Sequence, residues 1–418
     1  MKLQPGAPLA VNLVFDEDQK PIPTARLAMT QGLAQLEWSP DVLAKKLPVS
    51  GLNYPPEPGL HAARRRDLEG LHGFLADSLP DAWGTLVARR RLARLGVRLD
   101  DLSPLDRLAL VGRHGRGAMT FLPETAPAAE VETLDLDALA AEALIMLAGD
   151  DSALAATLAT LANGSGGARP KIHVGFDAAG AICVTEGEAA KDHAAWIVKF
   201  AAPNDQPDIG PIEAAYAAMA RTAGLDVSEY RLLPAKSGPG YFATRRFDRP
   251  EPGQRLHMLS LGGAIETPWT QPSSYDLFLR ATLAITRHAG DLASAFRRMV
   301  FNILACNRDD HVGQHSYLMD AKGAWRLAPA YDLTYSAGPG GEHYLDVEGE
   351  GRPTRTHVMA LGKRHGYDRA AVDQIIGEVA EALAGWPSFA DEARVGKASK
   401  VDIGAAHDAV ATAFFTAA

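Results

Sequence analysis

The sequence of 418 residues predicts an α+β chain in three parts: a β-rich front module, a lobe that combines a sheet with helices, and a helical lobe. Three patterns carry this prediction. Short apolar–polar alternations such as Leu9–Phe15 and Arg26–Met29, cut by Asp, Lys, Pro and Gly, mark hairpins at the front. Between Gly164 and Asp248 strand-like runs dominate, and beyond Leu259 the apolar residues recur at helical spacing.

The elements follow in order. Asp67–Arg98 reads as helical, and within it DSLPDAWGTLVARRRLARLG offers Asp77 or Ser78 as a cap and Gly96 as a stop. SPLDRLALVGRHGRGAMTFLP reads as a short helix, a Gly-rich turn and a strand closed by Pro123. The weakly hydrophobic ETAPAAEVE is a linker, and the main boundary falls there. The Ala-rich stretch Leu134–Leu161 is expected as one helix. Strands are expected at Ile172–Phe176, Ile182–Thr185, Ala195–Phe200 and Gly240–Arg246, around one helix, Pro211–Gly224, that starts on Pro and stops on Gly. Helices at Tyr275–His288, Leu292–Cys306, Arg369–Leu383 and Val401–Ala417 build the last part, with GPGGEH as a loop. The expected units are therefore 1–123, 130–255 and 256–418.

Composition narrows the function classes. Hydrophobic residues make up 47% and charged residues 22%, which excludes wholesale disorder. The two cysteines, Cys183 and Cys306, rule out a disulfide framework and any thiolate-rich zinc site, and suit a reducing compartment. The first residues lack a continuous apolar core, and no run of apolar residues is long enough to span a bilayer, so a cytoplasmic protein with no membrane role is expected. The net charge of −9 is unevenly spread. Residues 1–123 hold 16 Lys and Arg against 13 Asp and Glu, whereas the remainder holds 26 against 38, so the front and the back differ in surface character.

Four motifs could carry chemistry. In NGSGGARPK (163–171) small residues let backbone N–H groups approach a phosphate, and Arg169 and Lys171 add positive charge. The spacing is not that of the common phosphate loop, and an ordinary Gly-rich turn is the plainer reading of this segment by itself. In WIVKF (196–200) alternation puts Trp196, Val198 and Phe200 on one face and Lys199 on the other. That ammonium either meets an anion or snorkels from a sheet edge. Glu213 lies in the first turn of its helix, where the dipole favours a carboxylate, and it could also pair with Lys199. The densest motif is NILACNRDDHVGQHSYLMD (302–320), followed by WRLAPAYDLTYS (325–336). Its acids suit a catalytic base beside a magnesium ligand. His311 and His315, spaced i and i+4, also allow a zinc-dependent hydrolase, although Val312 stands where such a site has its Glu.

DSLPDAWG, LDRLALVGRHGRGAMTF, SGGARPK, WIVKF, FATRRFDR, NRDDH and PAYDLTYS, in this order, resemble the HipA family of Ser/Thr protein kinases, the toxins of bacterial type II toxin–antitoxin pairs. The resemblance implies a protein-kinase-like fold of two lobes, with a β-rich N-terminal subdomain and an all-helical C-terminal lobe. It implies ATP and Mg²⁺ as co-reactants. By the same resemblance Asp309 is the catalytic base that accepts or orients the substrate hydroxyl proton, and Asp332 and Gln314 hold the metal. Lys199, Ser165, Gly166, Gly167 and His311 meet the nucleotide, as does the hinge at Arg245, Phe247 and Asp248. Ser165 is also the autophosphorylation site, where a phosphate would repel those of ATP. Gln314 departs from the family's Asn by one methylene, which leaves open a catalytically impaired nucleotide-binding protein. The implied partners are a helix-turn-helix antitoxin of HipB type, DNA chiefly through it, and a protein substrate of the translation apparatus such as an aminoacyl-tRNA synthetase.

Overall fold

Alternation at the front closes a five-stranded antiparallel sheet. The structure is a computed structural model that describes residues 7–125, 135–150, 153–162, 167–183 and 193–416. Strands β1 (Leu9–Leu13), β2 (Ile22–Thr30), β3 (Leu33–Trp38), β4 (Leu60–Ala62) and β5 (Met119–Leu122) lie in the order β4-β3-β2-β1-β5. Leu9, Val11 and Leu13 are buried and their neighbours less so, the period of two expected of a sheet with one covered face. Gln31 and Gly32 form a two-residue turn between β2 and β3, both at positive φ, which matches the twist of a hairpin. Helix α1 (Pro40–Lys45) starts on the Ser39 cap.

The expected helix Asp67–Arg98 is instead two pieces, α2 (Gly73–Ala76) and α3 (Ala82–Arg94). Pro80 has no N–H to give and disfavours helix in the residue before it, so α3 starts after Asp81 and not from Asp77 or Ser78. The Asp77 carboxylate serves elsewhere, accepting from the backbone N and the hydroxyl of Ser260, both at 2.7 Å. Helix α4 (Pro104–Val111) begins with a capping box of Ser103 and Asp106 and leads into β5.

The second sheet is also antiparallel. It comprises β6 (Lys171–Phe176), β7 (Ile182–Cys183), β8 (Ala194–Lys199), β9 (Tyr230–Leu233) and β10 (Tyr241–Arg245), in the order β7-β6-β8-β10-β9. Thr185, expected in the second of these strands, lies outside the described residues. The Ala-rich stretch is two helices, α5 (Leu136–Ala148) and α6 (Ala155–Leu161), because Gly149 turns left-handed and ends the first. Helix α7 (Ile209–Thr222) packs on the sheet. Ile172, Val174, Trp196, Val198 and Phe200 form a core with α5, α6 and Trp83. Trp83 comes from α3, so a helix read from sequence as part of the front is built into this lobe. Its indole N–H donates to the Lys171 carbonyl at 3.0 Å.

The last part is helical in bulk: α8 (Leu261–Ile265), α9 (Tyr275–Thr286), α10 (Ala289–Leu304), α11 (Arg355–Arg364), α12 (Arg369–Ala384), α13 (Trp386–Glu392) and α14 (Lys397–Thr416). It is not all-helical. Strands β11 (His257–Ser260), β13 (Ser316–Met319) and β14 (Trp325–Leu327) form a three-stranded antiparallel sheet, and β12 (Ser273–Ser274) pairs parallel with β15 (Leu345–Asp346). SYLM is buried along its whole length, and such a short apolar run shows no period by which strand and helix could be told apart. The front sheet and this lobe share one continuous core, with Leu9, Trp38 and Phe74 in the same cluster as Leu259, Tyr275 and Phe278. Gly73 and Gly263 let α2 and α8 cross closely, since a Cβ on Gly73 would collide with the Gly263 carbonyl. Among the described residues no helix is long and apolar enough to cross a membrane.

Removing the indole of Trp83 leaves a cavity between α3 and the second sheet. Trp83→Ala should cost roughly 3–5 kcal/mol of stability. Urea unfolding would show this as a lowered midpoint, and an unchanged midpoint would refute the role of α3 in this core.

Candidate active site

Alternation along β8 sends Trp196 and Val198 into the core and Lys199 to the opposite face of the sheet. Strand β8 is central, so the snorkelling reading does not hold, and the Lys199 side chain is only 10% exposed. Its register partner on β6 is Lys171, itself buried. Two ammonium groups side by side in a buried place require anions. Lys199 Nζ donates to Glu213 Oε2 at 2.6 Å and also to Asp332 Oδ1. Burial alone would raise the Asp332 carboxyl, but Lys199, then Lys171 and Arg169, hold it well below the usual carboxylate range. Burial likewise pushes Lys199 down, and the charges of Asp332 and Glu213 outweigh it, so the ammonium keeps its proton. For Lys171 burial wins and the pKa is lowered. Glu213 therefore does more than sit at a helix end: it is buried in α7 as the partner of Lys199.

The Gly-rich segment enters this cluster at its far end. Ser165 and Gly166 lie outside the described residues. Gly167 has φ +86°, an angle that favours glycine, and a side chain there would also press on the end of the Lys171 side chain. Its N–H donates to Asp81, the residue that precedes α3. The Asp81 carboxyl is raised by burial, against the pull of Lys171 and Arg116, and its Oδ1 is buried with no hydrogen-bond partner among the described residues. Arg169 donates through Nε to both oxygens of Asp205, at 2.9 and 3.0 Å.

Helix α10 delivers the DDH segment. Asp310 turns inward, fully buried, and accepts from Tyr275 Oη at 2.5 Å, His343 Nδ1 at 2.8 Å and the Tyr344 backbone N at 2.9 Å. This fastening leaves Asp309 facing out. The Asp309 side chain is 46% exposed. What burial it has raises its carboxyl, and the charge of Asp332 adds to this, while His311, with Nε2 at 3.9 Å from Oδ1, opposes it. His311 Nδ1 accepts from Gly313 N at 3.0 Å and so starts a 3₁₀ turn, Val312–Gln314.

That turn disposes of the zinc pairing. Spacing of i and i+4 puts two side chains on one face only in an α-helix, and here a 3₁₀ turn runs straight into β13. The ring of His311 lies against Trp269 and Tyr344, whereas that of His315 stacks on Phe278 at 4.1 Å and donates to the Asp310 carbonyl. Burial pushes His315 to a pKa of about 3. Among the described residues no three His, Cys, Asp or Glu side chains gather as a metal site. The half-buried Gln314 and the ionised Asp332 are another matter. An amide oxygen and a carboxylate are hard oxygen donors, the kind that Mg²⁺ takes. Asp332 sits at φ +55°, a sparsely populated angle for a residue with a Cβ. Its neighbour Tyr331 donates to the Gly313 carbonyl at 2.7 Å, which ties the two segments together.

At the expected hinge Arg245 ends β10, and the Phe247 ring lies 5.5 Å from that of Tyr331. The Asp248 carboxylate is turned into the protein. Its Oδ1 accepts from Arg246 Nε at 3.0 Å, and its Oδ2 accepts from Arg246 Nη2, Arg249 Nη1 and Gly117 N at 2.8–2.9 Å. Both oxygens are thereby used to bind the hinge to the Gly115–Gly117 turn of the front module, where Arg249 also donates to the carbonyls of Gly115 and Gly117. Asp81 did not stand out from sequence as a site residue, and Lys171 did so only as a positive charge of the Gly-rich motif. Lys171 becomes legible once β6 is paired with β8, and Asp81 from the Pro-Asp-Ala-Trp start of α3.

The chain matches the HipA N-terminal domain over residues 19–122 and the HipA-like C-terminal domain over residues 164–386. Its structure is similar to that of HipA from Shewanella oneidensis MR-1, solved with HipB and operator DNA. The TM-score is 0.69 at 16% identity, over 96% of this chain and 95% of that one. The proinflammatory kinase CtkA of Helicobacter pylori matches over 52% of this chain and 87% of its own, at 13% identity and a TM-score of 0.37. No curated protein matches the chain.

Burial alone would raise the carboxyl of Asp248, but Arg246 and Arg249 hold it far below the usual range. A carboxyl depressed by folding stabilises the protein fully above its unfolded pKa of about 3.9, and that contribution is lost as pH falls below it. Asp248→Ala should therefore cost roughly 3–5 kcal/mol at pH 7, because both guanidinium groups stay buried without their acid. The loss should shrink in acid, and a variant as stable as the parent at pH 7 in urea titrations would refute this brace.

Proposed function

The chain belongs to the HipA family, and from the charges gathered around Lys199 we propose that it is a protein kinase that transfers the γ-phosphoryl group of ATP to a serine or threonine hydroxyl. One observation carries the reading. A buried lysine on a central strand is held between the carboxylate of a packed helix and an ionised aspartate, with the half-exposed Asp309 in the same field of charge. This is the division of labour that phosphoryl transfer needs, since it is mostly positioning and charge neutralisation.

In this reading Lys199 and the loop that contains Ser165, Gly166 and Gly167 hold the phosphates. The backbone of Arg245–Phe247 borders the adenine, and His311 stands beside the transferred group. Asp309 takes the proton of the substrate hydroxyl as its oxygen bonds to the γ-phosphorus and the bond from that phosphorus to the ADP oxygen breaks. Asp332 and Gln314 would hold Mg²⁺, which supplies neutralisation of phosphate charge when bound. The chain then divides into a front subdomain (1–123), a small lobe (130–255) and a large lobe (256–418).

By family, the protein is proposed to act in the cytoplasm as the toxin of a type II pair on a protein of the translation apparatus, of which an aminoacyl-tRNA synthetase is one example. The Shewanella HipA was solved with HipB and operator DNA. That likeness supports a helix-turn-helix antitoxin as partner and DNA reached chiefly through it. Gln314 favours a second reading, a nucleotide-binding partner of an antitoxin with impaired transfer, because its longer side chain suits a rigid octahedral ion less well than Asn.

Incubation with MgATP followed by intact-mass measurement tests both readings. The parent should gain one phosphate, and Ser165→Ala should lose that gain. Asp309→Ala should slow transfer at least about 100-fold while ATP still binds. Parent-like transfer by Asp309→Ala would remove Asp309 from its role, and a parent that transfers to no protein, itself included, leaves the impaired reading standing. Gln314→Asn should lower the Mg²⁺ concentration needed for half-maximal rate, and an unchanged Mg²⁺ dependence would count against Gln314 as a ligand.

A further inference from the structure

Helix α14 lies beyond the residues matched to the family, yet it is joined at two points to the helix that carries Glu213. Asp208, directly before α7, is buried. Its Oδ2 accepts from Gly396 N at 2.6 Å and its Oδ1 from Ser399 Oγ at 2.7 Å. Eight residues further along α7, the buried hydroxyl of Tyr216 donates to the Ala305 carbonyl at 2.7 Å and lies 2.9 Å from His407 Nε2. Ser399 and His407 are likewise eight residues apart on α14. Two helices joined at equal spacing run in the same sense, with α13 packed against both, and residues seven or eight apart share a stripe. Trp386 fills the space between them, its ring 5.7 Å from that of Tyr216 and 5.5 Å from that of His407.

The Tyr216 hydroxyl donates to the Ala305 carbonyl, and a proton on His407 Nε2 faces both the tyrosine oxygen at 2.9 Å and the Ala305 carbonyl at 3.3 Å. Nδ1 is then bare, and it is buried with no partner among the described residues. Burial pushes His407 to a pKa of about 4, so the ring is neutral near pH 7. Ala305 follows the end of α10, four residues before Asp309, and the adjacent Cys306 thiol donates to the Ala406 carbonyl at 3.7 Å. One tyrosine oxygen thus joins the Glu213 helix to the chain that leads to Asp309, and α14 holds that tyrosine.

We propose that α14 is a positioning element of the phosphoryl-transfer centre: through Ser399 and His407 it clasps α7 against the end of α10 and so sets Glu213 and Lys199 relative to Asp309. The proposal deepens the kinase reading and rests on it, whereas the clasp itself can be tested without it.

The experiment compares the full-length parent with His407→Ala and His407→Gln, the latter retaining an N–H donor. Rates come from MgATP autophosphorylation per folded molecule, and backbone mobility from hydrogen exchange. His407→Ala should lower kcat about tenfold, with KM for ATP held within about twofold. His407→Gln should recover most of that rate. In the Ala variant, exchange should quicken over residues 209–216 and 305–309. Unchanged kcat, or equal losses in the Ala and Gln variants, would overturn the clasp, since a packing role alone has no need of the donor. Should the parent transfer no phosphate, the kinase reading falls by itself. Exchange then decides the clasp, and unaltered rates over both segments overturn it.

Discussion

The ammonium of Lys199 is the constraint around which the two lobes are built. A lysine on the inner face of a central strand is costly in isolation, and no neighbour in β8 can neutralise it. Its two acids come from elsewhere, one from α7 and the other from the segment after β14. The charge can therefore be buried only when the helix packs on the sheet and the large lobe meets the small one. An ion pair of this kind contributes more to the definition of one arrangement than to net stability. Lys171 beside it raises the demand for anions and makes a misregistered β6–β8 pairing still less favourable.

The same logic explains the polar groups that do not face the cleft. Asp310 sits next to the half-exposed Asp309 and Asp248 next to Phe247, but each carboxylate is consumed by three or four hydrogen bonds. They hold the turns that carry Asp309 and the Arg245–Phe247 backbone.

Much of this was legible before the structure. The alternation of WIVKF predicted which face Lys199 takes, and the Pro211–Gly224 helix was read almost to its ends. Breaks within helical patterns were harder. Pro80 and Gly149 are visible in the sequence, but helical periodicity on both sides hid them. Short strands such as SYLM carry no period of their own and are fixed by pairing with distant partners. At the site, residues with an unusual local context stood out, whereas the bond of Asp81 to Gly167 and that of Asp248 to Gly117 span 86 and 131 positions and no local pattern encodes them.

The front module has attachments of three kinds. Trp83 is sunk in the core of the small lobe, Asp77 and Tyr54 are bonded to Ser260 and Glu266 of the large lobe, and the Gly115–Gly117 turn is gripped by Arg249 and Asp248 at the hinge itself. Mechanically this is a bracket screwed across a door hinge. Any swing of the small lobe against the large one would therefore have to break at least one of these three attachments.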